Sequence, residues 1–160
     1  MKSGKKQLII SLIMCALALV GMFLALESGH NQIQAVFIPP EFEKNAKIGE
    51  PEVPENLGWA ELDAKAFRVS VCGVFAPTGA TADVWLLNPA DNDVWLKLRV
   101  MDLDGKILGE TGLISEGSYV QTITLDTIPT TGTPIVLKVM AYEPETYYSA
   151  GSISINTHIY

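Results

Sequence analysis

The sequence predicts an all-β fold, an antiparallel sandwich of about seven strands, preceded by one apolar N-terminal helix and a stalk. Three observations predict it. Short β-type runs separated by turn residues fill the C-terminal part of the chain; several runs alternate strictly between apolar and polar residues; and the one helical signal lies at the N-terminus.

Leu8 to Leu26 contains no charged residue and is rich in Leu, Ile, Met, Ala and Val. A helix of that length rises about 28 Å, close to the thickness of a bilayer's hydrocarbon core. Lys2, Lys5 and Lys6 precede it and Glu27 follows, a charge bias that keeps the N-terminus in the cytoplasm and sends the rest across. Residues 1–7 then form a short basic cytoplasmic segment and 8–26 a signal anchor. Cleavage as a signal peptide and lipidation at Cys15 are the alternatives. Small residues are poorly placed around Ala25-Leu26-Glu27-Ser28, and Met14 stands where a small residue normally precedes a lipidated cysteine.

Residues 27–63 carry Pro39, Pro40, Pro51 and Pro54 among Gly, Glu and Asn, which breaks any helical or strand period and reads as an extracytoplasmic stalk. Two apolar islands, Val36-Phe37-Ile38 and the stretch around Trp59, interrupt it and are candidates for docking onto the domain.

The domain is expected over 64–160, with strands near 66–75, 81–88, 94–103, 106–111, 118–125, 135–142 and 151–159. This spacing suits an immunoglobulin- or fibronectin-like sandwich, in which each of two sheets buries one face. In the third run Val94, Leu96, Leu98 and Val100 share the core side, opposite Trp95, Lys97, Arg99 and Met101. In the sixth, Ile135, Leu137, Val139 and Ala141 point inward, and in the last Ile153, Ile155, Thr157 and Ile159 oppose Ser152, Ser154, Asn156 and His158. Asp104-Gly105 signals a two-residue type I′ hairpin between runs three and four.

The formal charge is −7 although the first 26 residues are purely basic, so the exported part is strongly acidic. It repels phosphate backbones, and nucleic acid is not an expected partner. The two cysteines, Cys15 and Cys72, fall on opposite sides of the anchor boundary and cannot pair within the chain. Alternation puts Cys72 with Arg68 and Ser70 on the wetter strand face, where an intermolecular disulfide is one outcome and a small buried hydrophobe the other.

No enzyme is expected. The histidines are His30 in the stalk and His158 on a polar strand face, and Gly112 to Gly117 lacks the spacing of a nucleophile elbow. No cofactor is called for. Asp91 and Asp93, and Asp102 and Asp104, lie near turns in a spacing that suits calcium oxygen ligands or ordinary turn hydrogen bonds, and no metal site is assigned. The candidate binding residues are aromatic: Trp85 and Trp95, which a hairpin through Asn88-Pro89-Ala90 would bring together, and Tyr142, Tyr147 and Tyr148 around one loop.

Asn88 to Lys97 and Leu137 to Tyr147 resemble segments of small single-pass envelope proteins of Gram-positive bacteria that carry an immunoglobulin-like domain. The resemblance implies a cell-surface setting and carries over no catalytic residue and no ligand. Together these readings lead to the expectation of a non-enzymatic protein-binding or assembly module at the cell envelope, whose partner is another envelope protein or a second copy. The alternatives are a structural or accessory subunit of a membrane complex and a carbohydrate-binding module.

Overall fold

A computed structural model of the chain describes residues 14–18, 20, 22 and 37–160. Residues 14–18, 20 and 22 are helical, and among the described residues no helix is long and apolar enough to cross a membrane. The expected anchor over 8–26 falls largely outside the described residues, as do the basic segment 1–7, His30 and the first ten stalk residues, 27–36. The chain divides into two compact units, Met1–Ile38 and Pro39–Tyr160; the following concerns the second.

Ten strands build two antiparallel sheets: β1 (Lys47–Ile48), β2 (Trp59–Asp63), β3 (Arg68–Cys72), β4 (Pro77–Thr78), β5 (Thr81–Asn88), β6 (Trp95–Asp102), β7 (Ile107–Glu110), β8 (Ser118–Thr124), β9 (Pro134–Tyr142) and β10 (Ser149–His158). The first sheet runs β1-β8-β5-β3-β2 with β4 beside β5, and the second runs β10-β9-β6-β7. The seven expected runs correspond to β3 and β5 to β10. The three additional strands are β1 and β4, of two residues each, and β2, which follows the proline-broken segment; none shows a usable period-2 pattern in the sequence.

Both sheets close on one core. Val69 and Val71 of β3, Val84 and Leu86 of β5, Val120 and Ile123 of β8 meet Leu96, Leu98 and Val100 of β6 and Leu137, Val139 and Ala141 of β9. The inward sets expected for the third and sixth runs are all buried. Burying each such aliphatic side chain stabilises the fold by roughly 1.5–3 kcal/mol. Ile153 and Ile155 of β10 point the same way but are only partly buried, at the margin of the core.

Part of 27–63, expected as stalk, belongs to the domain unit, which begins at Pro39. Residues 41–43 run parallel to 112–113 through reciprocal backbone hydrogen bonds, Glu43 N to Leu113 O (2.8 Å) and Leu113 N to Glu41 O (2.9 Å). Gly112 is required there, because a Cβ on it would lie 2.5 Å from the Glu43 nitrogen. β1 and β2 then bind opposite edges of the first sheet. Since the inner side is filled by the core, the connecting residues 49–58 pass on the outer side. The prolines that abolish periodicity in this segment leave it free to follow another surface.

The β6–β7 turn differs from the expected type I′. Asp102 O accepts from Gly105 N (3.2 Å), Asp102 N donates to Lys106 O (3.0 Å), and only Gly105 takes a positive φ, 84°. This is a type I turn followed by a left-handed glycine, a three-residue loop with the ladder shifting register between Val100 and Met101. Asp102 secures it, accepting the Asp104 and Lys106 N–H groups on Oδ1.

Candidate functional site

The two tryptophans singled out by sequence are not neighbours. The chain from Asn88 to Trp95 forms a corner that crosses between sheets, so Trp85 sits on the outer face of the first sheet and Trp95 on that of the second. The expected hairpin is absent because Asn88 is consumed inside the corner. Fully buried, its Nδ2 donates to Val94 O (2.8 Å) and Ile114 O (3.0 Å), and its Oδ1 accepts from Asn92 Nδ2.

Trp95 packs into an aromatic corner with Phe42 (centroids 4.7 Å apart, edge-on) and Tyr147 (5.4 Å), both within the distance range of favourable aromatic pairs. Tyr142 is the cross-strand partner of Trp95 and donates its hydroxyl to Met140 Sδ (3.7 Å). Tyr148 is largely exposed. The fold therefore brings Trp95, Tyr142 and Tyr147 together, with Phe42 as a member that sequence reasoning missed because it lay in the presumed stalk.

On the first sheet, Trp85 occupies a bulge where the register with β8 skips from Asp83 to Leu86, with φ 43°. Its ring stacks on Tyr119 (6.3 Å), its carbonyl accepts from Trp59 Nε1 (2.7 Å), and its own Nε1 is buried with no partner among the described residues. Cys72, opposite Trp59 in the ladder, is only 1 % exposed. Burial, helped by the Asp83 charge, pushes its thiol up to about 12. A disulfide to another chain, one of the two sequence outcomes, would need the β2 edge to open; the thiol occupies the buried-hydrophobe position.

The same face holds a cleft of about 440 Å³, lined by Trp59 and Glu61 of β2, Arg68 and Ser70 of β3, Leu87 of β5, and the rim residues Glu50 and Asp91. Arg68 pairs with Glu61 (3.3 Å) and with Asp91. Its backbone is clamped by Asn92, which accepts the Arg68 N–H and donates to its carbonyl. Apart from Asp91 and the apolar island around Trp59, none of these residues stood out in the sequence, because Glu50, Trp59 and Glu61 come from the segment expected as stalk.

Asp91 is thus engaged by Arg68 and Asp102 by its own turn. Among the described residues no group of three His, Cys, Asp or Glu side chains is placed to hold a metal ion. His158 rests against Tyr160, ring centroids 4.2 Å apart.

The sheet edges differ in kind. β1, β2 and β7 span two, five and four residues and bear Lys47, Glu61, Asp63 and Glu110, while residues 41–43 cover the chain just beyond β7. β10 spans ten residues without one charge. Its C-terminal end is tied down by Thr157 Oγ1 donating to Gly73 O (3.0 Å) and by Ile159 bridging to Phe75. From Ser149 to Asn156, nothing among the described residues pairs with its outer side.

No family model matches this chain, and no curated protein matches it.

Proposed function

We propose that this protein is a membrane-held, non-enzymatic assembly module of the cell envelope, anchored through residues 8–26 and displaying the sandwich outside the cytoplasm. The finer reading of the sandwich as immunoglobulin- or fibronectin-like is supported by the strand order, in which β3-β5-β8 faces β7-β6-β9-β10 in Greek-key fashion. The observation that carries the assembly role is the β10 edge. Soluble sandwiches blunt their edges with charge, brevity or cover, because an open row of backbone donors and acceptors invites another strand. Three edges here are blunted and β10 is not. Strand addition at β10 extends the second sheet and covers Ile153 and Ile155, with backbone hydrogen bonds supplying affinity. The added strand comes from a second copy or another envelope protein.

The test is cross-linking in intact cells of the full chain, its Ser152→Glu/Ser154→Glu/Asn156→Glu variant, and a control with Thr122→Glu/Thr124→Glu/Thr131→Glu. All six positions are exposed, and Ser154 faces Lys138 across the ladder, so a glutamate there is accommodated in the monomer. A discrete complex, insensitive to reductant, lost at least tenfold in the β10 variant and kept in the control, is the expected result. A complex indifferent to the β10 glutamates, or none, rejects the reading.

A further inference from the structure

We infer that the cleft on the first sheet is a binding site for a neutral saccharide, separate from the β10 edge and independent of its role. Its size lies within the roughly 300–1,000 Å³ typical of small-molecule sites.

Each wall restricts the ligand's chemistry. Trp59 retains 36 % exposure, yet its indole N–H is already donated to the Trp85 carbonyl. What it offers a ligand is therefore ring carbon, a flat apolar surface held in place by that hydrogen bond. Leu87 adds an apolar patch to the floor. Such surfaces suit the C–H face of a pyranose ring.

The polar groups are alternately donors and acceptors. Arg68 commits one N–H-bearing nitrogen to Glu61 and the other to Asp91, which leaves spare guanidinium hydrogens beside spare carboxylate lone pairs. Vicinal hydroxyls, each a donor and an acceptor, match that arrangement. Ser70 is 2 % exposed, lines the floor, and its hydroxyl has no partner among the described residues. That hydroxyl can therefore both donate to and accept from a ligand hydroxyl without giving up an internal partner.

Charge removes the other classes. Glu50, Glu61 and Asp91 outnumber Arg68, so phosphate and other anions are repelled. A cationic side chain would meet Arg68 already seated between two of the three carboxylates, with their attraction largely spent. A neutral, hydroxyl-rich ligand pays neither cost. The site is also preorganised, because Asn92 fixes the Arg68 backbone and β2–β3 pairing sets Glu61 opposite Ser70.

The test is titration of the full chain, in phosphocholine micelles free of glycosidic detergent, with maltotetraose, cellotetraose and N,N′,N″,N‴-tetraacetylchitotetraose, and with tri-lysine and inorganic phosphate for comparison. The heat of binding is the readout in every variant, and in the wild type the Trp59 indole N–H resonance reports whether the ligand sits in the cleft. At least one oligosaccharide should bind with Kd of about 10 μM to 1 mM. Trp59→Ala should weaken it at least tenfold and Ser70→Ala severalfold, the latter removing no internal hydrogen bond, while Trp95→Ala on the other sheet should leave it unchanged. No response to any of the three oligosaccharides at about 10 mM, a saccharide that binds equally to Trp59→Ala, or a response to tri-lysine or phosphate alone would overturn the assignment.

Discussion

On the first sheet, residues 39–63 return to bind both edges and cross the outer face, burying Ser70, Cys72 and Leu87, which a bare sheet would expose, and framing a cleft beside them. On the second sheet, Phe42 and Tyr147 cover only the corner at Trp95; beyond it Lys97 and Arg99 meet Glu110 at 2.7 Å each, and β10 ends the sheet in an unguarded row of Ser, Ile and Asn. The two sheets share a core, so the contrast comes from what covers each outside. One is finished by its own chain and offers a concavity; the other is unfinished at one edge and offers backbone.

The contrast can be broken at the corner that joins the two sheets. Asn88→Ala removes three side-chain hydrogen bonds, two of them buried, and strands the Val94 carbonyl while Ile114 O keeps the Leu96 N–H, so a loss of about 2–4 kcal/mol is expected in urea unfolding, together with loosening of the Asn92–Arg68 clamp under the cleft. A loss below about 0.5 kcal/mol would remove the corner's structural role.

A smaller effect separates the covering segment from the sandwich. Gly112→Ala drives a methyl group into the Glu43 and Phe42 backbone, and about 2 kcal/mol of destabilisation is expected, with proteolysis gaining access near residues 39–45 before the β-core. Unchanged protease resistance would mean that 41–43 contributes little to the unit.

The smallest effect sharpens the other side. Lys97 is 7 % exposed and depends on Glu110. Burial works to raise the Glu110 carboxyl, but hydrogen bonds from Lys97 and Arg99 and their charges outweigh it and hold it below its ordinary value of 4.5. A carboxyl lowered by folding contributes stability above its unfolded value and loses it as pH falls through the folded value. Glu110→Gln should therefore cost about 1–2 kcal/mol at pH 7, reduced by screening at this partly exposed site. The gap between wild type and variant should narrow below about pH 4.5 and stay constant above it; a gap independent of acid would contradict the ion pair's role.

The sandwich was legible because its central strands are buried on one face and alternate: Leu96, Leu98 and Val100 announce β6, and Ile135, Leu137 and Val139 announce β9. The cleft was not, for a physical reason. It is built where β2, from a proline-broken segment with no usable period, lies beside β3 through a register that only tertiary pairing sets. Trp85 and Trp95 were marked as aromatic candidates, yet their separation onto opposite faces depends on Asn88, whose three hydrogen bonds look from sequence like an ordinary turn preference. The β10 edge was half legible: the chargeless run is visible in sequence, whereas its position at the end of the sheet is a matter of topology.

Strand addition at β10 would be seen by hydrogen exchange along the full chain, compared at low and high protein concentration or with and without the captured partner. Amides between Ser149 and Asn156 are expected to gain protection on association while those of β1, β2 and β7 do not. Protection that rises at another edge and leaves β10 unchanged would contradict it.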